Sequence, residues 1–298
     1  MGLESCHPIV NVIFYIAVFL GSAMFQHPVF LMISFFGAAA YSVRRCGRNA
    51  GRLILCACGL MGISTVLYAG THHFGVTVLL PDFLGNVWTA ESICFGLSLG
   101  VRIAAVLLWL ESMFQVISSD QIIHLLGKIH PILILPFTVL FRWIPNCRRQ
   151  MRKIHHARAG IGKGIHQGTL REQLQNLSSF VSVRITWSIQ YFADSAHSIR
   201  TRGGGLPGRT AFSMYRLDQR DRCLMIAVFF GVTCALMGII LETVYMTYAP
   251  SMIWKPLHGV ELLTALGYGF LCFLPTGFEL GNAYFFAKAY KRSSRTNR

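Results

Sequence analysis

Six blocks of this chain are apolar and nearly free of charge, the pattern of helices that cross a bilayer. They run over about Ile9–Phe25, from Pro28 to about Val43, Leu53–Ala69, Ile93–Ile117, Cys223–Tyr248 and Val260–Ala287. A hydrocarbon interior cannot hydrogen-bond a peptide group, so each block must satisfy its own backbone as a helix. Charged residues make up only 13% of the 298 residues, against about 25% in a soluble domain. These features predict an all-α membrane protein with about six transmembrane helices and exclude an ordinary soluble enzyme. The first two blocks are short, which fits tilted helices or a tight hairpin.

The charge is as uneven as the hydropathy. Ser118 to Arg222 holds 16 Lys and Arg against 5 Asp and Glu, so this stretch carries +11 of the total +15. Further cations cluster at Arg44, Arg45, Arg48 and Arg52, and in a tail with Lys288, Lys291, Arg292, Arg295 and Arg298. Positive loops stay on the cytoplasmic side. Two blocks separate the first cluster from the 118–222 segment, and two more separate that segment from the tail, so all three fit on one side. The expected organisation is transmembrane helices 1–4 in 1–117, a cytoplasmic region in 118–222, and helices 5–6 with the basic tail in 223–298. Both termini are then cytoplasmic and the chain sits in the cell (inner or plasma) membrane. The basic balance reads as positive-inside bias and attraction to anionic lipid, with no nucleic acid implied.

The cytoplasmic segment is different in kind. Ile132 to Phe141 is apolar but too short to span, and Pro136 interrupts it. A helical stripe of Ile144, Cys147, Met151 and Ile154 follows, among Arg148, Arg149, Arg152 and Lys153. Leu170, Leu174, Leu177, Val181, Ile185, Phe192, Ala196 and Ile199 mark a second helix, in which Arg184 and Gln190 argue against a span. Thr169 to Arg200 corresponds to roughly 48 Å of helix at 1.5 Å per residue. Two long amphipathic helices therefore end in Gly-rich turns beside an arginine: Ala157-Arg158-Ala159-Gly160 and Thr201-Arg202-Gly203. A guanidinium at a helix end can fork onto a partner's carboxylate, although Arg before Gly is also an ordinary helix cap.

No enzyme chemistry is legible. Gly203 to Thr210 mimics a phosphate-binding loop, but Arg209 stands where Lys is needed and a helix, not a strand, precedes it. The loop from Gly160 to Gly164 lacks the Gly-Lys-Ser/Thr ending. His72-His73 and His155-His156 are adjacent pairs whose side chains diverge on a helix, and His166 stands alone, so no metal or cofactor site is expected. The nine cysteines are scattered, most inside apolar blocks, without metal or disulfide spacing. Arg102 and Glu279 lie within apolar blocks, where charge is costly; each reads as a structural group, or as a snorkelling side chain for Arg102.

At Trp187 to Arg222, WSIQYFADSAHSIRTRGGGLPGRTAFSMYRLDQRDR, the chain resembles the transmembrane T component of energy-coupling factor (ECF) transporters. The stretch is similar to that family's second coupling-helix region, with an Ala-Arg-Gly type signature before a Gly-Leu-Pro-Gly-Arg-Thr run. Leu140-Phe141-Arg142-Trp143-Ile144-Pro145 is similar to the Arg-Phe-Ile-Pro element before the first coupling motif, and His7-Pro8-Ile9-Val10-Asn11 and His27-Pro28 also fit. Thr201 stands where the family usually has Ala, and the first motif reads Ala-Arg-Ala-Gly, so Arg202 is the closer match of the two arginines. The resemblance implies a non-catalytic coupling subunit of an ABC importer. Its partners would be two cytoplasmic ABC-type ATPases, reached through Arg158, Gly160, Arg202 and Gly203, and a small membrane S component that captures a vitamin or metal ion. The rival reading is a self-sufficient secondary membrane carrier, which would want polar groups in broken spans near mid-membrane.

Two measurements test this reading. A reporter fused near Gly164 is expected to be active only as a cytoplasmic fusion; activity on the outer face overturns the topology. The purified chain is expected to hydrolyse no ATP, and turnover by it alone would reveal a nucleotide site.

Overall fold

The computed structural model describes residues 2–72, 74–83, 86–129, 131–165, 167–204, 206, 215–242, 244–248, 252–253 and 259–296. The helices are α1 (Pro8–Met24), α2 (Pro28–Cys46), α3 (Ala50–Thr71), α4 (Ala90–Val116), α5 (Ser119–Ile129), α6 (Pro131–Gly160), α7 (Leu170–Thr201), α8 (Gln219–Ile240) and α9 (Val260–Thr296). Strands β1 (Val78–Phe83) and β2 (Asn86–Thr89) form an antiparallel hairpin between α3 and α4. Two units result: Met1–Ser118 with Tyr215–Arg298, and Ser119–Met214.

The first unit is a multi-pass helical membrane domain. Five of its helices are long and apolar enough to cross a bilayer: α2, α3, α4, α8 and α9 as far as Lys288. The sixth expected span, α1, is apolar but has 17 residues, which lies at the lower limit for a spanning helix. Both α1 and α2 start at a His-Pro pair. Proline at the first helical position needs no hydrogen-bonded N–H, and the preceding histidine accepts from the backbone two residues on. His7 Nδ1 accepts from Ile9 N and His27 Nδ1 from Val29 N, each at 3.3 Å.

Helix contact in this domain depends on glycines. A Cβ on Gly37 of α2 would stand 2.8 Å from Cys272 Cβ of α9, and one on Gly231 of α8 would stand 2.8 Å from Leu271 Cβ. Gly96 and Gly100 lie four residues apart on α4 and face the backbone of α3 at Thr65 and Met61. Such small-residue seams drive packing where no hydrophobic effect separates helix from lipid. The aromatic centre fills the space between them. Trp109 is fully buried, Tyr41 stacks on it with centroids 6.3 Å apart, and Phe14 and Tyr15 meet it edge-on.

Two sequence expectations are corrected. The block read as a helix to Tyr248 ends at Ile240, because Glu242 takes a left-handed φ of +55° and the chain turns inward. There the Val244 carbonyl accepts from both Gln26 N (3.0 Å) and His27 N (2.9 Å), and the Tyr248 hydroxyl donates to Gln26 O at 3.1 Å. The stretch Tyr215 to Arg222, read as part of the basic insert, folds with the membrane helices, because Asp218 and Asp221 form a capping box that starts α8.

The glycine seam generates a paired test. Gly100→Ala puts a methyl 2.8 Å from the Met61 carbonyl oxygen and 2.9 Å from its Cα, atoms of helix backbone that cannot rotate away. It is expected to cost about 1–3 kcal/mol, read as a lower midpoint of thermal unfolding in detergent. Gly62→Ala on α3 meets nothing within 4 Å and is expected to be neutral or slightly stabilising. Equal behaviour of the two variants refutes the seam.

Candidate functional site

The second unit holds the four residues singled out in the sequence: Arg158, Gly160, Arg202 and Gly203. Its frame is an antiparallel hairpin of α6 and α7. Thr169 starts α7 with a capping box, in which the Thr169 N–H donates to Glu172 Oε2 at 2.8 Å. That contact holds the Glu172 carboxyl below the ordinary carboxylate range, so the cap persists at neutral pH. Asn176 Nδ2 donates across the connecting loop to Gly164 O at 3.3 Å. Further along, Arg184 bridges the helices: its guanidinium carbon lies 5.7 Å from the Trp143 ring centroid, and its Nη1 donates to Gln150 Oε1 at 3.4 Å. Trp143 and Phe192 close the contact with centroids 5.5 Å apart.

Helix α6 corrects the sequence reading of its first half. The apolar run and the basic stripe after it are one helix of 30 residues that absorbs both Pro136 and Pro145. Each proline removes one backbone donor, and the remaining turns carry the helix through.

The face of α7 turned toward α6 mixes apolar and polar groups: Phe180 is buried and Phe192 meets Trp143. The residues turned toward α6 include Asn176, Arg184, Ser188, Tyr191 and Ser195. The apolar stripe found in the sequence points away: Leu170 is 80% exposed, Leu174 69% and Ile185 55%.

Both helices end in the same backbone device. Gly204 N donates to Ile199 O at 2.9 Å and Gly203 N to Arg200 O at 3.0 Å, with Gly203 at φ +75°. Lys163 N donates to Arg158 O at 3.0 Å and Gly162 N to Ala159 O at 3.2 Å, with Gly162 at φ +74°. Each is a Schellman turn, in which a left-handed residue lets two bonds satisfy the last free carbonyls. The glycine that stops the first helix is thus Gly162. Gly160 is its last helical residue, and a Cβ there would meet nothing within 4 Å.

The two arginines occupy different places in this device. Arg202 directly precedes its left-handed glycine, whereas Arg158 lies four residues before Gly162. Arg158 folds back, with Nε 3.5 Å from Lys163 O, a long contact with its own turn. Arg202 is exposed; its backbone N–H donates to Arg200 O, and its guanidinium has no hydrogen bond or ion pair to any described residue. Because the helices are antiparallel, the two ends lie at opposite ends of the hairpin. The pairings across it set Arg158 level with about Leu177, so roughly 37 Å of helix separates the arginines.

Arg202 also borders a groove of about 850 Å³ between the two helices, whose walls carry Arg142 and Arg149 from α6 and Asp194 from α7. Sequence reasoning listed neither arginine as a site residue. Their spacing of seven, which repeats a helix face, was the signal that could have found them.

Other sequence candidates have structural duties. Arg102 Nη2 donates to the Phe25 carbonyl at 3.0 Å, serving the end of α1. Glu279 Oε1 accepts from the Tyr41 hydroxyl at 3.3 Å, and Arg45 pairs with Glu4. Cys6 is buried, and its thiol is pushed up to about 12, first by burial and then by Asp221, which leaves it a poor nucleophile at neutral pH. Among the described residues no three His, Cys, Asp or Glu gather as a metal ion would need. His73, His166 and the Pro207-Gly208-Arg209-Thr210 run lie outside the described residues. No known protein family matches the chain, and no curated protein matches it significantly.

Proposed function

We propose that this protein is the membrane coupling subunit of an ECF-type ABC importer. In this reading two cytoplasmic ATPases dock at the ends of the α6–α7 hairpin, and their opening and closing is passed to an S component that binds a vitamin or metal ion. The ATP is hydrolysed in the partners, and the hairpin and both chain termini are cytoplasmic. The carrying observation is the repeated Schellman turn with a nearby arginine at each end of one antiparallel hairpin. Two separated, similar ends suit two copies of a similar partner, although a cation at a helix end also favours the helix itself. The Arg202 guanidinium, exposed and without a partner among the described residues, is available to a partner's carboxylate. The secondary-carrier reading gains no support from Arg102 or Glu279, which are tied to structural partners.

A charge-assisted, bidentate contact contributes on the order of 1.5–3 kcal/mol, and lysine keeps the charge but loses the fork. Arg202→Lys is therefore expected to weaken ATPase association by about tenfold or more and to lower substrate uptake. Arg158→Ala with Arg202→Ala is expected to abolish uptake or release the ATPases on purification. Full uptake with ATPases still bound in both variants sinks the assignment.

A further inference from the structure

The groove beside Arg202 has two chemically distinct parts. Toward the start of α6 its wall is apolar, with Ile134, Leu135 and Val139, faced by Ile199 of α7. Deeper along α6 come Arg142 and Arg149, one helix face and two turns apart, with roughly 10 Å of rise between them. Neither guanidinium has a hydrogen bond or ion pair with any described residue, although Asp194 stands on the facing wall. The groove therefore offers two cations beside an apolar strip.

We infer that this groove binds an anionic phospholipid, with its phosphate headgroup between Arg142 and Arg149 and an acyl chain along Leu135, Val139 and Ile199. The charge of the headgroup end fits an anion, because Asp194 offsets only one of the two arginines. The apolar strip fits a hydrocarbon chain and has no use for free phosphate. Exposed Arg148, Arg152 and Lys153 beside the groove add attraction to an anionic leaflet. This site is separate from the coupling role of Arg202 and stands or falls without it.

The test uses the full chain purified in mild detergent, with bound lipid counted by native mass spectrometry after incubation with phosphatidylglycerol or phosphatidylcholine. The wild type is expected to retain one phosphatidylglycerol in strong preference to phosphatidylcholine. Arg142→Gln with Arg149→Gln is expected to lower that retention by about thirtyfold, from about 1 kcal/mol per cation near an anionic surface. Asp194→Asn removes the opposing carboxylate and is expected to raise retention, a gain that misfolding cannot produce. Equal retention of phosphatidylcholine, or no change in both the double variant and Asp194→Asn, overturns the proposal. Displacement of the lipid by millimolar inorganic phosphate also overturns it, since the site would then be for a soluble anion.

Discussion

Close approach of helix backbones at glycine is the constraint on which the membrane domain depends. In lipid, apolar side chains gain little by leaving one hydrocarbon environment for another, so adhesion falls to van der Waals contact and hydrogen bonds at short range. Gly37 against Cys272, Gly96 and Gly100 against α3, and Gly231 and Gly267 against the facing sides of α9 and α8 supply that range. The large residues are then confined to the gaps, which is why Trp109, Tyr15 and Tyr41 share one centre. Once the backbones are close, small hydroxyls can reach one another. Ser34 receives the indole N–H of Trp109 at 3.2 Å and lies 2.8 Å from Ser22, whose hydroxyl is 3.4 Å from that of Tyr268. Four helices are thereby joined through groups that would be costly to bury alone.

The same logic explains the irregular segments. Where α1 turns into α2, peptide N–H groups are freed at Gln26 and His27, and the stretch after α8 returns to supply one carbonyl to both. Where α4 begins, Thr89 caps it while donating to Phe74 O at 2.6 Å, and Glu91 takes the Thr77 hydroxyl at 2.7 Å. Each break in a helix is thus matched by a segment distant in sequence that satisfies its polar groups.

The spans were legible because scarcity of charge is a property of composition and survives without knowledge of contacts. The starts of α1 and α2 were legible in principle too, through His-Pro, and so was the stop at Gly203. The early end of α8 was not, since hydropathy cannot see that Val244 is needed elsewhere as an acceptor. The continuity of α6 through Pro136 and Pro145 was missed because a helix rule based on proline counts lost bonds and ignores the bonds that remain. The first hairpin helix does end at Gly160, but the left-handed residue of its turn is Gly162, which the sequence could not single out among several glycines. The orientation of α7 was the least legible of all. Periodicity identified its apolar stripe but could not say which face meets α6, and here that face carries Phe180 and Phe192 together with Arg184, Tyr191 and Ser195.

The exposed apolar stripe of α7 has a thermodynamic signature. Any surface that covers the stripe from Leu170 to Ile185 removes apolar area from water, so the union carries a negative heat-capacity change. Hydrophobic attraction of this kind weakens on cooling. An assembly built over α7 would therefore loosen in the cold and tighten toward growth temperature, the opposite of one held mainly by ion pairs and hydrogen bonds.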